Sequence, residues 1–405
     1  MLPTLALIAR DSVLRMVTIA LFFSGVCFAA TMPYQSLVAI DTLKISDATF
    51  SALVALASLM GVVFSVFVGI RSDKSPNRLR LIQQMSAAGV LGFAAVWFST
   101  SPIVFAVCTV LLIPISGSMY GQFFAIARVY CLHHYPDQAA EITASIRALF
   151  ALSWISAPPL IALGISVGMP TIAVYLVASA SAAVIFTLLG VSCKVFSLPA
   201  PTAAAQAKSF LTSLAELTSW RISTRVLAVG TIMGAHRLNA IVIALIITTS
   251  AGGTESDVGY VAALTALLEI PLMILIARTF RWFRKSTLLA MGSALFSVYL
   301  LLLFTATAMP MIYALCVINA AAAAILLSVN IVYLQDLVTE SPGLGSALMS
   351  ITGFVSAGIG AAAFALGTGI ADYATTALIG AGIAAVGCGA LFFLERATRS
   401  TQRNS

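Results

Sequence analysis

Charge is what this chain has least of. Asp, Glu, Lys and Arg make up 9% of its 405 residues, and histidine occurs 3 times. Ordinary soluble domains carry about 25% charged residues, so a water-solvated surface is excluded. Cysteine is sparse, at 6 scattered positions with no C-x-x-C pair. That excludes a zinc ribbon or a dithiol redox centre and predicts free, packed thiols with no metal and no cofactor. There is no phosphate-cradling glycine loop and no nucleophile–base pair, which argues against a membrane enzyme or sensor. Acidic residues number 14 against 21 basic ones. No basic stripe is interleaved with aromatics, so nucleic acid is not an expected partner.

Long apolar runs fill the space that charge leaves. Hydrophobic residues are 60% of the chain and mean hydropathy is +1.05. A helix crosses the hydrocarbon layer with about 20 apolar residues, and twelve such spans are expected. They lie near 14–38, 48–70, 81–99, 103–127, 140–165, 169–193, 223–248, 257–279, 286–306, 310–334, 345–367 and 374–394. The first run is too long for a removable signal and lacks a cleavage site. The fold class is all-α integral membrane, with the lipid bilayer as solvent.

The few charges are distributed by side. With the N-terminus inside, eighteen of the 21 cations fall in or beside inner loops. Lys44 alone lies outside, among Asp41, Asp47, Glu255, Asp257 and Asp372. Arg147 and Arg237 fall within spans. Cytoplasmic loops of membrane proteins carry the excess of Lys and Arg, so both termini are expected in the cytoplasm. The net charge of +7 then reports topology.

Between the sixth and seventh spans the composition changes to Pro, Ala and Ser. The expected organisation is an N-terminal six-helix bundle (1–196), a cytoplasmic linker (197–220) and a C-terminal six-helix bundle with a short basic tail (221–405). Six plus six is the layout of parallel-repeat transporters, which bind substrate near the bilayer midplane. Small residues recur every four positions at Ala57, Gly61, Ser65 and Gly69, and again at Gly353, Ala357, Ala361 and Ala365. Such stripes let helix backbones approach closely in lipid.

Ionisable residues inside a span are expensive there and mark function. Glu269 sits mid-way along the eighth span, ~18 Å below its outer end at 1.5 Å per residue. Burial disfavours its charged form, so it is the candidate proton carrier. Pro271 removes a backbone hydrogen bond beside it. Arg237 lies at a similar depth on the seventh span, and Arg147 about two turns into the fifth. Each is a candidate ionic partner of Glu269; a static structural pair is the alternative. Tyr34, Gln35, Gln122, Trp154, His236, Asn239 and Asn319 are candidate cavity-lining residues. An aromatic face with nearby amide and guanidinium donors suits a sugar ring. His133 and His134 are expected in a solvated inner loop.

The stretch Gly69-Ile70-Arg71-Ser72-Asp73-Lys74-Ser75-Pro76-Asn77-Arg78 follows the pattern G-x-x-x-D-[RK]-x-x-x-[RK]. It resembles the loop between the second and third helices of major facilitator superfamily transporters. Further pieces resemble the sugar efflux transporter family: Ala125 to Arg128, Arg147 with Ser153-Trp154 and Pro158-Pro159, Leu268-Glu269-Ile270-Pro271, and Gln335-Asp336-Leu337. They occur in order over most of the chain. Ala157 stands where a Gly is usual, and Arg237 is foreign to the family.

The resemblance implies the major facilitator fold and a monomer in the cell inner membrane. It also implies proton-linked efflux of sugars or glycosides. A cytoplasmic gate of Gly69, Asp73, Lys74, Arg78 and Arg128 follows from it, with Asp73 meeting the eleventh helix near Gly345. The two small-residue stripes would face each other across the halves. A multidrug or organic-anion exporter of the same fold is the alternative, and Arg237 favours an anionic solute within it.

Overall fold

The computed structural model describes residues 2–74, 77–192, 219–279, 282–337 and 342–403. Every regular element among the described residues is helical. A short helix, Leu2–Arg10, precedes twelve helices long and apolar enough to cross a membrane. The first six are Ser12–Thr42, Asp47–Gly69, Arg78–Ser99, Pro102–His134, Glu141–Ser166 and Thr171–Ser192. The next six are Ile222–Thr249, Glu255–Ile276, Lys285–Phe304, Met309–Asp336, Leu348–Ile370 and Tyr373–Arg396.

The predicted spans all exist, and most differences lie at their ends. The fourth continues to His134, so His133 and His134 sit in its last turn instead of a loop. Helical hydrogen bonding carries the backbone of the second helix on to Lys74. The next helix starts at Arg78, capped by the Asn77 side chain, which accepts the Arg80 N–H at 3.1 Å. Most of the expected gate loop is therefore helix. Two spans are irregular where proline or tight packing interrupts the ladder. The first passes through a 3₁₀ turn at Met32–Tyr34 and a π turn at Val38–Thr42. The fourth has a π turn at Cys108–Leu112 ahead of Pro114.

Two compact units result: Met1–Ile45 with Leu59–Gln206, and Ser46–Ser58 with Ala207–Ser405. In the first, the first span packs on the fifth and sixth, and the third on the sixth. In the second, the seventh packs on the eleventh and twelfth, and the ninth on the twelfth. The same pairing thus recurs six spans later, although the sequences of the halves hardly match. Residues 46–58 belong with the second unit. Phe50 meets Phe364 edge-on at 6.1 Å, Ser51 donates to the Ala361 carbonyl, and the Tyr373 hydroxyl donates to Asp47 at 3.2 Å. The expected linker falls almost wholly outside the described residues.

Ala361 of the eleventh-span row accepts the Ser51 hydroxyl of the second span, but the glycines of the two rows make no close approach. Gly61, Gly69 and Gly353 face open space. The tight contact lies between the seventh and eleventh spans. A Cβ on Gly360 would lie 3.1 Å from the Gly234 carbonyl oxygen and 3.2 Å from the Leu238 nitrogen. One on Gly230 or Gly234 would strike Val355 or Ile359. Gly230 and Gly234 form a G-x-x-x-G pair, the spacing that lets backbones touch in lipid. The eleventh span presents Val355, Ser356, Ile359 and Gly360 to it, a different face from the 353–357–361–365 row.

Candidate functional site

In the first unit the polar and aromatic candidates gather on the fourth and fifth spans. Tyr120 and Phe124 are one turn apart and share a helix face. Their rings meet edge-on at 5.0 Å. Phe150 of the fifth span lies 4.9 Å from Tyr120. Over the Phe124 ring, at 5.5 Å from its centre, stands the Arg147 guanidinium. A cation on a ring face gains about 0.5–1 kcal/mol when exposed and more when desolvated. Arg147 is exposed, and Trp154, two turns on along the same face, is half-buried. Gln122 and Gln35 are half-buried, while Tyr34 is completely enclosed at the 3₁₀ turn of the first span.

The sequence singles out Arg147 and Trp154 as candidates but not Tyr120, Phe124 and Phe150, which pack with Arg147. The Tyr-x-x-x-Phe and Arg-x-x-Phe spacings were visible. In a chain with 23 phenylalanines, only contact across two helices separates this cluster from ordinary packing.

In the second unit the candidates divide. The His236 ring lies 5.6 Å from Phe296 of the ninth span. Asn239 is buried, and its amide oxygen accepts the Tyr299 hydroxyl at 3.1 Å. Both turn toward the ninth span. Asn319 is buried in the tenth span. Arg237 takes another direction: its Cβ lies beside Gly360 of the eleventh span, and its side chain is exposed.

Glu269 is half-buried on the eighth span. Pro271 sits inside that helix, so the Leu267 carbonyl lacks its usual intrahelical donor one half-turn away. No hydrogen bond or ion pair engages Glu269 among the described residues, so the candidate pair with Arg237 is not formed. The reason is topological. The seventh span packs on the eleventh and twelfth, while the eighth packs mainly on the tenth. Equal depth on consecutive helices does not make them neighbours.

Of the residues expected at a gate, Gly69 ends the second span with open space beside it, Arg78 is half-buried and Arg128 is exposed on the fourth helix. The side chains of Asp73 and Lys74, and those around Gly345, lie outside the described residues, as do the contacts expected of them. No cluster of metal-ligating side chains occurs among the described residues.

Two polar knots, one half-buried and one largely buried, were not anticipated. Asp11 caps the first span, accepting the Val13 and Leu14 N–H groups at 2.9 Å. It also accepts the Tyr130 hydroxyl at 2.9 Å and the Tyr135 hydroxyl at 3.0 Å. Burial raises its pKa, but these four donors together outweigh burial and hold the carboxyl below its ordinary value. The other knot is at the corresponding end of the second unit. Arg225 Nε donates to Glu395 at 3.1 Å, and the Tyr333 hydroxyl donates to the same oxygen at 3.0 Å. Each knot ties the opening helix of a six-span set to the fourth helix of that set.

Comparison with known proteins agrees with this architecture. A sequence model described as Major Facilitator Superfamily matches residues 2–158. A Deinococcus radiodurans protein named for sugar efflux transport is 28% identical over 363 residues, covering 86% of this chain and 90% of its own. Sugar efflux transporter C of Escherichia coli is 25% identical, covering 83% and 85%. Among solved structures, the nucleoside transporter NupG superposes with a TM-score of 0.77 at 14% identity, over 95% of this chain and 99% of its own. An auto-inhibited POT family peptide transporter superposes with a TM-score of 0.76 at 12% identity, over 95% and 97%. At such identities the solved structures speak to fold alone. With twelve membrane-length helices and a repeated packing scheme, the chain is similar to the Major Facilitator Superfamily over residues 2–158 and, over most of its length, to transporters named for sugar efflux.

Proposed function

We propose that this transporter moves sugars or glycosides out of the cell in exchange for protons, by alternating access across the cytoplasmic membrane. The observation that carries the reading is Glu269, a half-buried carboxyl within a span that no described side chain neutralises. A charged carboxyl at the bilayer centre costs roughly 2.5–3.5 kcal/mol. A proton removes that cost, so protonation state and conformation are coupled. The Arg147, Tyr120, Phe124 and Phe150 cluster supports a sugar as cargo. Aromatic faces accept the C–H side of a pyranose, and the guanidinium donates to its hydroxyls. Trp154, two turns beyond Arg147 on the same helix face, extends this surface, and the named relatives point to the same cargo.

In this reading both termini are cytoplasmic, the protein acts as a monomer, and residues 1–196 and 221–405 are the moving halves. Gly69, Asp73, Lys74, Arg78 and Arg128 form the cytoplasmic gate. An anion at a helix N-terminus gains about 0.3–1 kcal/mol, a strength suited to a latch that opens each cycle.

The test is flux in proteoliposomes loaded with labelled lactose or glucose under an imposed pH gradient. Wild type should move label in proportion to the gradient, and Glu269→Gln should retain exchange but lose proton-driven accumulation. Full proton-driven flux in the variant removes Glu269 from the coupling step. An organic-anion exporter is the second reading, supported by Arg237, an exposed mid-span guanidinium without an ion pair among the described residues. Labelled glucuronate outcompeting neutral sugar, with Arg237→Gln abolishing that preference, would favour it.

A further inference from the structure

The ninth and twelfth spans enclose a groove of about 510 Å³. Clefts of roughly 300–1,000 Å³ are the usual size for small-molecule sites. Its walls are graded. Ala290, Met291, Ala294, Leu391 and Phe392 form an apolar body, and Ser286, Thr287 and Arg396 stand at one end. From Ser286 to Ala294 the groove follows the helix for ~12 Å at 1.5 Å per residue. That nearly matches one leaflet of hydrocarbon, ~15 Å or half of a ~30 Å core.

Charge at the polar end is one-sided. Glu395 also borders the groove, but its carboxylate is engaged by Arg225 and Tyr333. Asp336, at the end of the neighbouring tenth span, is paired with Lys285. Arg396 is exposed and has no ion pair among the described residues. The ninth span begins here, preceded by Arg284 and with no side chain capping its first amides. Unsatisfied amides at a helix start favour an anion. Met291 and Phe392 remain more than half exposed beside this end, so the groove opens toward the acyl region.

We propose that this groove is a binding site for one anionic phospholipid. The phosphate sits against Arg396, the Ser286 and Thr287 hydroxyls and the opening amides of the ninth span, and one acyl chain lies along Ala290, Ala294, Leu391 and Phe392. Basic pockets between membrane helices take anionic headgroups in this manner. The bound lipid would brace the ninth helix against the twelfth, directly beside the Arg225–Glu395–Tyr333 knot.

The experiment is native mass spectrometry of the full chain, released from nanodiscs holding equal phosphatidylglycerol and phosphatidylethanolamine of the same acyl chains. Wild type should retain one phosphatidylglycerol with about five-fold preference, the effect of one cation near a membrane surface. Arg396→Gln should abolish the preference while lipid is still retained. Ala294→Phe should fill the groove and remove the retained lipid; should that variant not fold, Met291→Trp tests the same wall. Equal retention of the two lipids by wild type, or retention unchanged in both variants, overturns the assignment. So does displacement of the lipid by the transported sugar.

Discussion

The knot of Arg225, Glu395 and Tyr333 allows a quantitative test of how the second unit is held together. Arg225 is 4% exposed and its partner carboxylate 23% exposed, so the pair is largely withdrawn from solvent. Removing one member of a buried pair typically costs about 3–5 kcal/mol, because the other charge is stranded. Glu395→Ala should therefore destabilise the protein by about 3 kcal/mol, toward the low end of that range because Glu395 keeps some exposure. Tyr333→Phe removes a single hydrogen bond to a charged group and should cost about 1.5–3 kcal/mol. The double variant Arg225→Met with Glu395→Leu replaces the pair by apolar groups of similar volume. Such replacements are often neutral or stabilising, so it should recover most of the loss. Stability would be measured by reversible unfolding in mixed micelles, with far-ultraviolet ellipticity confirming retained helix. If the double variant is as unstable as Glu395→Ala, the stranded charge is not the cause. If Glu395→Ala stays within about 0.5 kcal/mol of wild type, the typical scale for inconsequential surface changes, the knot is not structural.

Gly360→Ala should destabilise the protein by about 1–3 kcal/mol through overpacking against the seventh span, whereas Gly353→Ala, facing open space, should gain about 0.5–1 kcal/mol of helix propensity; equal effects in thermal unfolding would refute the close approach. Phe124→Leu should weaken the hold on Arg147 by about 0.5–1 kcal/mol, raising KM for the proposed sugar cargo more than it lowers kcat, and an unchanged KM separates the cluster from that cargo. Asp11 has a folded pKa below its ordinary 3.8. Its contribution is present above that value and is lost as pH falls through the folded pKa. Wild type should accordingly lose more thermal stability than Asp11→Asn between pH 5 and pH 3, and parallel pH profiles would exclude the assignment.

Much of the membrane architecture is legible in the sequence. Twelve spans could be counted because each must be apolar for about 20 residues to satisfy the hydrocarbon layer, and that demand is local. Within sites, local demands were legible as well: Glu269 and Arg237 stand out because charge is rare inside a span. Whether they pair was not. It depended on which helices touch, and the seventh and eighth, though consecutive, pack on different partners. Helix extents were blurred where polar residues continue a helix, so Lys74 and His134 were placed in loops that are helical.

The small-residue stripes are the sharpest case. Periodicity every four residues appears on several faces of an Ala-rich chain, and the visible rows at 57–69 and 353–365 include glycines beside open space. The backbone contact uses Gly230, Gly234 and Gly360, because close approach needs two small faces in register, and register belongs to the pair of helices. The knots at Asp11 and Glu395 and the groove below Arg396 follow the same rule. By itself the sequence determined the solvent, the number of crossings and the rare charges, since each is set by the free energy of moving a segment between water and lipid. Only the tertiary structure decided which charges meet, which glycines touch and where a cavity remains, since those depend on distances between residues far apart in the chain.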